Sequence, residues 1–334
     1  MAGTTNNGVV GYISNPVASF PKNSITIDIF GNTFYRDYAF GAGDDTGVYW
    51  NDTVTYSSSV MLFLAVAMQK SLLGKFSFGK KLRSSQSDDF VMLLPITKTG
   101  EIDFDFMESF VAELEAERVA ELEAYLSVTG LKNYELTEEE KKAIECLVQG
   151  DFSWKNFEFT DVFNQIKQGR RLKKSDQLCG NIPFVMAGVN NTGVVNYISN
   201  PVAMFPQNTI TIDIFGNTFY RNYAFGAGDD TGVYWNDTDH YSQKTMLFFA
   251  TAMAKSVAGK FSFGKKLRSS KSLHFKMQLP ANQNKLDYEK MELLISAVQK
   301  LVIKDVVLYA DQKIDATKKI TQQSGAPSAA CHPS

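Results

Sequence analysis

The chain has 334 residues: 44% are hydrophobic, 34 are lysine or arginine and 36 are aspartate or glutamate, for a formal net charge of −2. That length suits two domains of about 100–150 residues each, and the near-neutral charge argues against nucleic-acid affinity spread over the whole surface. No apolar run approaches the roughly 20 residues needed to span a bilayer, and the opening MAGTTNNG lacks the basic start and apolar stretch of a secretory signal. Three cysteines, Cys146, Cys179 and Cys331, show no CxxC spacing. This predicts a reducing, cytoplasmic setting and no zinc site.

Taken in chain order, the dominant feature is a repeat. Met1 aligns with Met186, and the offset holds without a gap to Pro95 over Pro280, with about three-quarters of the positions identical. After a one-residue slip, IDFDFME (Ile102–Glu108) matches LDYEKME (Leu286–Glu292) in pattern. A repeat of domain length is a tandem duplication rather than a solenoid. Within each copy the reading is mostly strand. TITIDIF (Thr209–Phe215) alternates β-branched and polar residues, as a half-buried strand does. GN at Gly216–Asn217 signals a turn. AFGAGDDTGVYW reads as strand, loop, strand. KTMLFFATAMAKSVAGK reads as a helix stopping at Gly259, and FKMQLP as a last short strand.

Helices follow each copy. Phe106–Gly130 places Phe110, Leu114, Val119, Leu122 and Leu126 along one side. Thr137 and Glu140 have capping-box spacing for a short second helix. A later helix, from Tyr288 to about Lys318, carries Met291, Leu294, Val298, Leu301 and Leu308 at near-heptad spacing. Neither long helix can bury its stripe alone, so the two are expected to pair as an antiparallel coiled coil. The alternative is that each packs only on its own module. The expected fold class is α+β. Two tandem, mainly β domains lie at 1–101 and 151–284, with helical spacers at 102–150 and 285–320 and a disordered tail at 321–334. Two like modules joined by antiparallel helices imply a pseudo-two-fold arrangement. A helix of about 22 residues spans roughly 33 Å, close to the roughly 34 Å of one DNA turn.

Chemistry-bearing residues cluster in a few places. GKFSFGKKLRSS occurs at Gly74–Ser85 and Gly259–Ser270. It puts Lys75, Lys80, Lys81 and Arg83, or Lys260, Lys265, Lys266 and Arg268, among two glycines and two phenylalanines. Such side chains neutralise phosphates and, through an arginine fork, read guanine; on charge alone the loop is equally a solvated one. Lys167–Asp176 adds Arg170 and Arg171 in the second module only. FGNTFYR offers Asn32, Tyr35 and Arg36, and Asn217, Tyr220 and Arg221, as groove-reading residues at a turn, with Phe34 and Phe219 equally suited to packing. GAGDDTG resembles a phosphate loop only loosely and reads as a structural turn, since a strand follows it where a helix is needed. SNPVA (Ser14–Ala18, Ser199–Ala203) resembles the Asn-Pro pair of amino-methyltransferases, but valine replaces the expected aromatic. The three histidines have no counterparts in the first copy. No catalytic constellation, metal site or cofactor motif emerges.

The ordered series from WKNFEFTDVF through GNIPFV, NTITIDIFGNTFYR and GAGDDTGVYW to GKFSFGKKLRSS resembles a target recognition domain of a restriction–modification specificity subunit. FMESFVAELEAERVAELEAYLSVTGL resembles the helical spacer that follows such a domain. The family is that of type I systems and of type IIB systems with a separate specificity subunit, and the resemblance runs to about Thr317. It implies a cytoplasmic, non-catalytic subunit without cofactor. Each domain would read one half of a bipartite site in double-stranded DNA, and the helices would set the gap and dock methyltransferase and restriction subunits. Near-identity of the copies predicts a near-palindromic target. Alternatives are a stand-alone adenine methyltransferase using SNPV and a duplicated β-rich ligand-binding module.

One departure stands out. The second module begins near Asp151, whereas nothing corresponds to those roughly 35 residues ahead of Met1. A first domain without them is expected to expose apolar surface or an unpaired sheet edge. The reading is a truncated or mis-started frame, or a short form that borrows the segment by associating with another chain.

Overall fold

The computed structural model describes the backbone of residues 1–324 and the side chains of residues 1–316 other than Asp88. The expected disordered tail lies outside the described residues from position 325 onward. Contacts divide the chain into two units, Met1–Ser127 with Leu308 onward, and Val128–Val307.

In the first unit, β1 (Ser19–Phe20), β2 (Ser24–Asp28), β3 (Thr33–Arg36), β4 (Phe40–Gly41) and β5 (Thr46–Tyr49) precede helices α1 (Ser58–Leu72) and α2 (Phe104–Val128). The sheet order is β3-β2-β5, antiparallel throughout, with a separate β1-β4 pair. Ile25 and Ile27 of β2 pack on Met61, Ala65 and Leu72 of α1 and on Leu82. Ser57 caps α1 by accepting the Val60 N–H at 3.3 Å.

The second unit holds α3 (Glu138–Gln149), β6 (Trp154–Glu158), the single turn α4 (Phe159–Val162), β7 (Gln165–Gln168), β8 (Cys179–Val185) and β9 (Val194–Ile198). Then come β10 (Met204–Phe205), β11 (Thr209–Asp213), β12 (Thr218–Arg221), β13 (Phe225–Ala227), β14 (Thr231–Trp235), α5 (Gln243–Val257), β15 (Lys276–Asn282), β16 (Lys285–Leu286) and α6 (Tyr288–Ser324). Three sheets form, ordered β12-β11-β14-β7, β10-β13-β8-β9 and β16-β15-β6. The largest cluster joins Phe159, Val162 and Phe163 to Ile210, Ile212 and Tyr234 and to Met246, Phe249 and Met253 of α5. A second cluster joins Val185, Phe205, Phe225, Ala227 and Val233.

Near-identical sequence therefore yields two different extents of strand pairing among the described residues. The residues upstream of Met186 supply β6, β7 and β8, which pair with β15, β14 and β13. The corresponding first-module edges have no such neighbours among the described residues. VVNYI forms β9 against β8, but VVGYI at Val9–Ile13 forms no strand, and Ile13 is 71% exposed where Ile198 is fully buried. VMLLP at Val91–Pro95 likewise forms no strand where KMQLP lies in β15. Strand propensity is realised only against a partner that takes the backbone hydrogen bonds.

Strand β11 differs from the half-buried reading of its alternation, because all five of its residues are buried. Its isoleucines face α5. On the polar face, Thr211 accepts from the Arg221 guanidinium and Asp213 accepts the Gly188 N–H at 3.0 Å. The long helices start slightly earlier, or as expected, because aspartates cap them. Asp103 accepts the Phe106 N–H at 2.9 Å and Asp287 the Lys290 N–H at 3.1 Å. Helix α6 runs past Lys318 to Ser324.

Within the second unit α3 lies antiparallel to the start of α6. Tyr134 meets Lys304, Glu140 meets Lys300, Ala143 clusters with Leu294, and Phe152 meets Lys290. In the first unit Glu115 of α2 pairs with Lys313 of α6 at 3.2 Å. The Thr137–Glu140 capping box is present, and the same Glu140 oxygen that accepts the Thr137 N–H accepts Lys300 Nζ at 2.8 Å.

Burial raises the Glu140 pKa, but hydrogen bonds from Lys300, Ser296 and the Thr137 N–H outweigh it and hold the carboxyl down at about 2. A carboxyl depressed on folding contributes stability above its ordinary value, and that contribution fades as pH falls through the folded one. Glu140→Gln should therefore flatten the loss of stability between about pH 4.5 and 2. It should also lower unfolding free energy at neutral pH by roughly 3 kcal/mol. Denaturant titrations at several pH values check both.

Candidate nucleic-acid interface

Two loop systems are duplicated with the same geometry, and they differ sharply in accessibility. The first is the hairpin containing FGNTFYR. Asp213 organises its turn, its Oδ1 accepting the Phe215 N–H at 2.8 Å and the Asn217 N–H at 3.0 Å, while Oδ2 accepts Asn217 Nδ2 at 2.7 Å. Asp28 does the same for Phe30 and Asn32. Gly216, with φ of +94°, supplies the left-handed turn position. Tyr220 donates to Asn208 at 3.0 Å and Tyr35 to Asn23 at 2.9 Å.

Arg221 is 1% exposed. It donates to Thr211 at 3.1 Å, to Tyr223 at 3.0 Å, and to the hydroxyl and carbonyl of Thr192. Its guanidinium lies 5.3 Å from the Phe219 ring centroid. Burial pulls its pKa below the ordinary arginine value. Arg36, 7% exposed, donates to Thr26, Tyr38 and the Asn7 carbonyl. Of the hairpin candidates, Arg36 and Arg221 are buried and bonded within their own units, while Asn32, Tyr35, Asn217 and Tyr220 are half-buried and bond Asp28, Asn23, Asp213 and Asn208.

The second system is the basic loop, and it projects. Helix α5 ends at Val257, Gly259 takes φ of +69°, and Ser262 and Lys265 exchange backbone hydrogen bonds at 3.1 and 3.0 Å. Those bonds close a two-residue tip made of Phe263 and Gly264. Phe263 is 82% exposed, and Lys266 Nζ sits 4.7 Å from its ring centroid. Behind the tip, buried Leu267 anchors the loop by donating to the Ile214 carbonyl at 2.9 Å. Arg268 is exposed and donates to the Asp229 carbonyl. The first module repeats this arrangement. Phe78 is 83% exposed under Lys81, Lys75 and Lys80 flank it, buried Leu82 donates to Ile29, and Arg83 donates to the Asp44 carbonyl at 3.3 Å.

Two exposed aromatics at a cationic tip thus join the site residues. Phe78 and Phe263 escaped sequence reasoning because packed and projecting phenylalanines alternate in FSF. Phe76 and Phe261 are the packed ones. Lys260, Lys265 and Lys266 are exposed around the second tip. Arg170 and Arg171 stand beside an open cleft of about 710 Å³ in the second module, shared with Lys167, Met204, Phe205 and Asp229.

The remaining candidates fold into scaffolding. Asp230 accepts the Ala187 N–H at 3.0 Å, so GAGDDTG is a turn. Asn200 of SNPV accepts the Leu178 N–H and donates to the Asp176 carbonyl, both at 2.9 Å. That spends both ends of its amide on the adjoining backbone. Among the described residues no group of three or more potential ligands could hold a metal, and no helix is long and apolar enough to cross a membrane.

Residues 1–124 and 153–309 match the type I restriction modification DNA specificity domain. The chain belongs to this family of non-catalytic DNA-specificity subunits. It is 24% identical over 246 residues to the type II restriction enzyme specificity subunit S.BcgI of Heyndrickxia coagulans, covering 72% of this chain and 67% of that one. Among solved structures it is similar to the type I restriction-modification S subunit from M. genitalium, at 14% identity and a TM-score of 0.48. The match covers 91% of this chain and 82% of that one. The HsdS subunit from Thermoanaerobacter tengcongensis is 14% identical with a TM-score of 0.32, covering 92% and 77%.

Replacing a buried arginine that makes four hydrogen bonds leaves several acceptors without donors. Arg221→Ala is expected to destabilise the second module by about 3 kcal/mol. Lys266→Ala, at a solvated tip, should change stability by less than about 0.5 kcal/mol. Urea titrations of both variants check the division between scaffold and tip.

Proposed function

We propose that this chain reads a bipartite site in double-stranded DNA for a restriction–modification complex, using the paired basic tips of its two modules as the DNA-facing elements. The observation that carries the reading is the duplicated tip, in which an exposed phenylalanine sits beneath a lysine on a two-residue turn flanked by further basic residues. Lysines neutralise phosphates and an exposed ring can wedge against a base step. In this reading Lys75, Lys80, Lys81 and Arg83, with Lys260, Lys265, Lys266 and Arg268, contact the duplex. Arg170 and Arg171 add contacts on the second half-site. The residues behind the tips differ little between modules, so the two half-sites are near-inverted copies.

Methyl transfer and cleavage belong to methyltransferase and restriction subunits that dock on the helices, and the assembly works in the cytoplasm. Self-association, or association with another chain, uses the strand edge left open at β5 among the described residues. A sequence-blind alternative, a β-rich module binding an uncharged ligand, predicts affinity insensitive to salt.

Each neutralised phosphate adds about 0.9 to the steepness of log affinity against log salt. Replacing Lys265 and Lys266 together by alanine should reduce that slope by about 1.8 in the assembled methyltransferase complex. Affinity for its methylated site should fall about tenfold or more. An unchanged slope with unchanged affinity would remove the tip from the interface.

A further inference from the structure

The open cleft of the second module, about 710 Å³ in volume, joins two different chemistries. Sites for small molecules run from about 300 to 1,000 Å³. From β7 and the turn after it come three cations, Lys167, Arg170 and Arg171. From β10 come Met204 and Phe205, which are apolar. Asp229 is the one carboxylate among the lining residues.

The backbone that carries the cations is fixed, and their charges are left unspent. Gly169 donates its N–H to the Thr231 carbonyl and Arg170 its N–H to the Ala227 carbonyl, both at 2.9 Å. A β-carbon at Gly169 would lie 2.2 Å from the Gly228 carbonyl oxygen, so the turn is pressed directly onto the β13–β14 connection. Gln168 spends both ends of its amide on scaffold, donating to the Asp229 carbonyl at 3.0 Å and accepting the Ser269 N–H at 2.9 Å. Of the four arginines in this unit, Arg221 is buried in its own network and Arg268 donates to that same Asp229 carbonyl. Arg170 and Arg171 are exposed, and their guanidinium groups have no hydrogen-bond or ion-pair partner among the described residues. On the apolar side Phe205 is held by Phe225 and Trp235, with ring centroids 5.7 and 6.0 Å away, and Met204 is 51% exposed.

We propose that this cleft binds a nucleotide, with its phosphate on Arg170 and Arg171 and its base against Met204 and Phe205. A passing phosphate backbone alone would need no apolar wall, and an apolar ligand would leave three cations idle. A nucleotide uses both. An arginine fork matches phosphate oxygens in pairs, and a methionine adapts to the shape laid against it. Arg268 and Ser269, at the root of the basic tip, are tied to Asp229 and Gln168 of the cleft. This continuity favours a nucleotide unstacked from DNA held at the tip, and a free mononucleotide has the same chemistry. The DNA source rests on the function proposed above, whereas the pocket itself does not.

The test titrates the full chain with deoxyadenosine monophosphate and, separately, with inorganic phosphate. The mononucleotide should bind one to one and several-fold more tightly than phosphate. In the first copy Ser19 pairs with Gly41 in the register of Met204 with Gly226, so Met204→Ser keeps the strand pair. That variant should weaken mononucleotide binding several-fold and leave phosphate binding unchanged. Arg170→Ala with Arg171→Ala should remove the mononucleotide site, and Lys265→Ala with Lys266→Ala should leave it intact. A duplex with one unpaired adenosine assigns the source, because extrusion costs least where no base pair is broken. Tighter binding of that duplex than of its fully paired counterpart, with the preference lost in Met204→Ser, assigns the pocket to DNA. Equal binding of the two duplexes, with the mononucleotide still bound, assigns it to a free nucleotide. Mononucleotide binding no tighter than phosphate, or unchanged in both cleft variants, would overturn the proposal. Such a result leaves the salt dependence of the tip variants as it was, so the two readings fail separately.

Discussion

Each strand presents a row of N–H and C=O groups on either side, and a sheet is finished only when both rows are paired or wetted. In the second module residues 154–185 complete three such rows at once. The aromatic cluster of Phe159, Phe163 and Phe249 is built around the strands so completed. Among the described residues the first module pairs β2 with β3 and β5, and β1 with β4. Its basic tip is held by bonds within the module, Ser77 with Lys80 and Leu82 with Ile29, as the second tip is by Ser262 with Lys265 and Leu267 with Ile214.

The positive charges fall into two populations with opposite roles. Arg36 and Arg221 are withdrawn from water, where an arginine is tolerated only when its donors are used. Each binds hydroxyls and carbonyls contributed by three stretches of its own module. The lysines of the tips remain solvated and mobile in charge terms, which suits neutralising a phosphate that arrives from solution. Each tip gathers four cations within nine residues, a local positive charge in a chain of net charge −2.

Much of this was legible in the amino-acid order. The repeat, the Thr137–Glu140 box, the stop near Gly259 and the strand–turn–strand hairpins all carry local signals, and the structure contains them. What stayed hidden depends on long-range partners. VVGYI and VVNYI differ by one residue yet only the second is a strand, since the difference lies in β8 and not in the pentapeptide. TITID alternates like a half-exposed strand, but its threonines face a buried guanidinium contributed ten residues away. The burial of Arg221 was not legible either, because arginine next to tyrosine at a turn looks identical whether it faces a groove or a core. Phe263 and Phe261 are likewise equivalent in sequence, and only the two-residue turn decides which projects.

The central claim is that two like modules read two like halves of one interrupted DNA site on behalf of a modifying partner. Mapping methylated bases across the genome of cells with and without this gene tests it most directly. The account predicts that one interrupted motif, with halves that are near-inverted copies, loses its methylation when the gene is removed. Loss of no motif, or loss of one whose halves are unrelated, would contradict it.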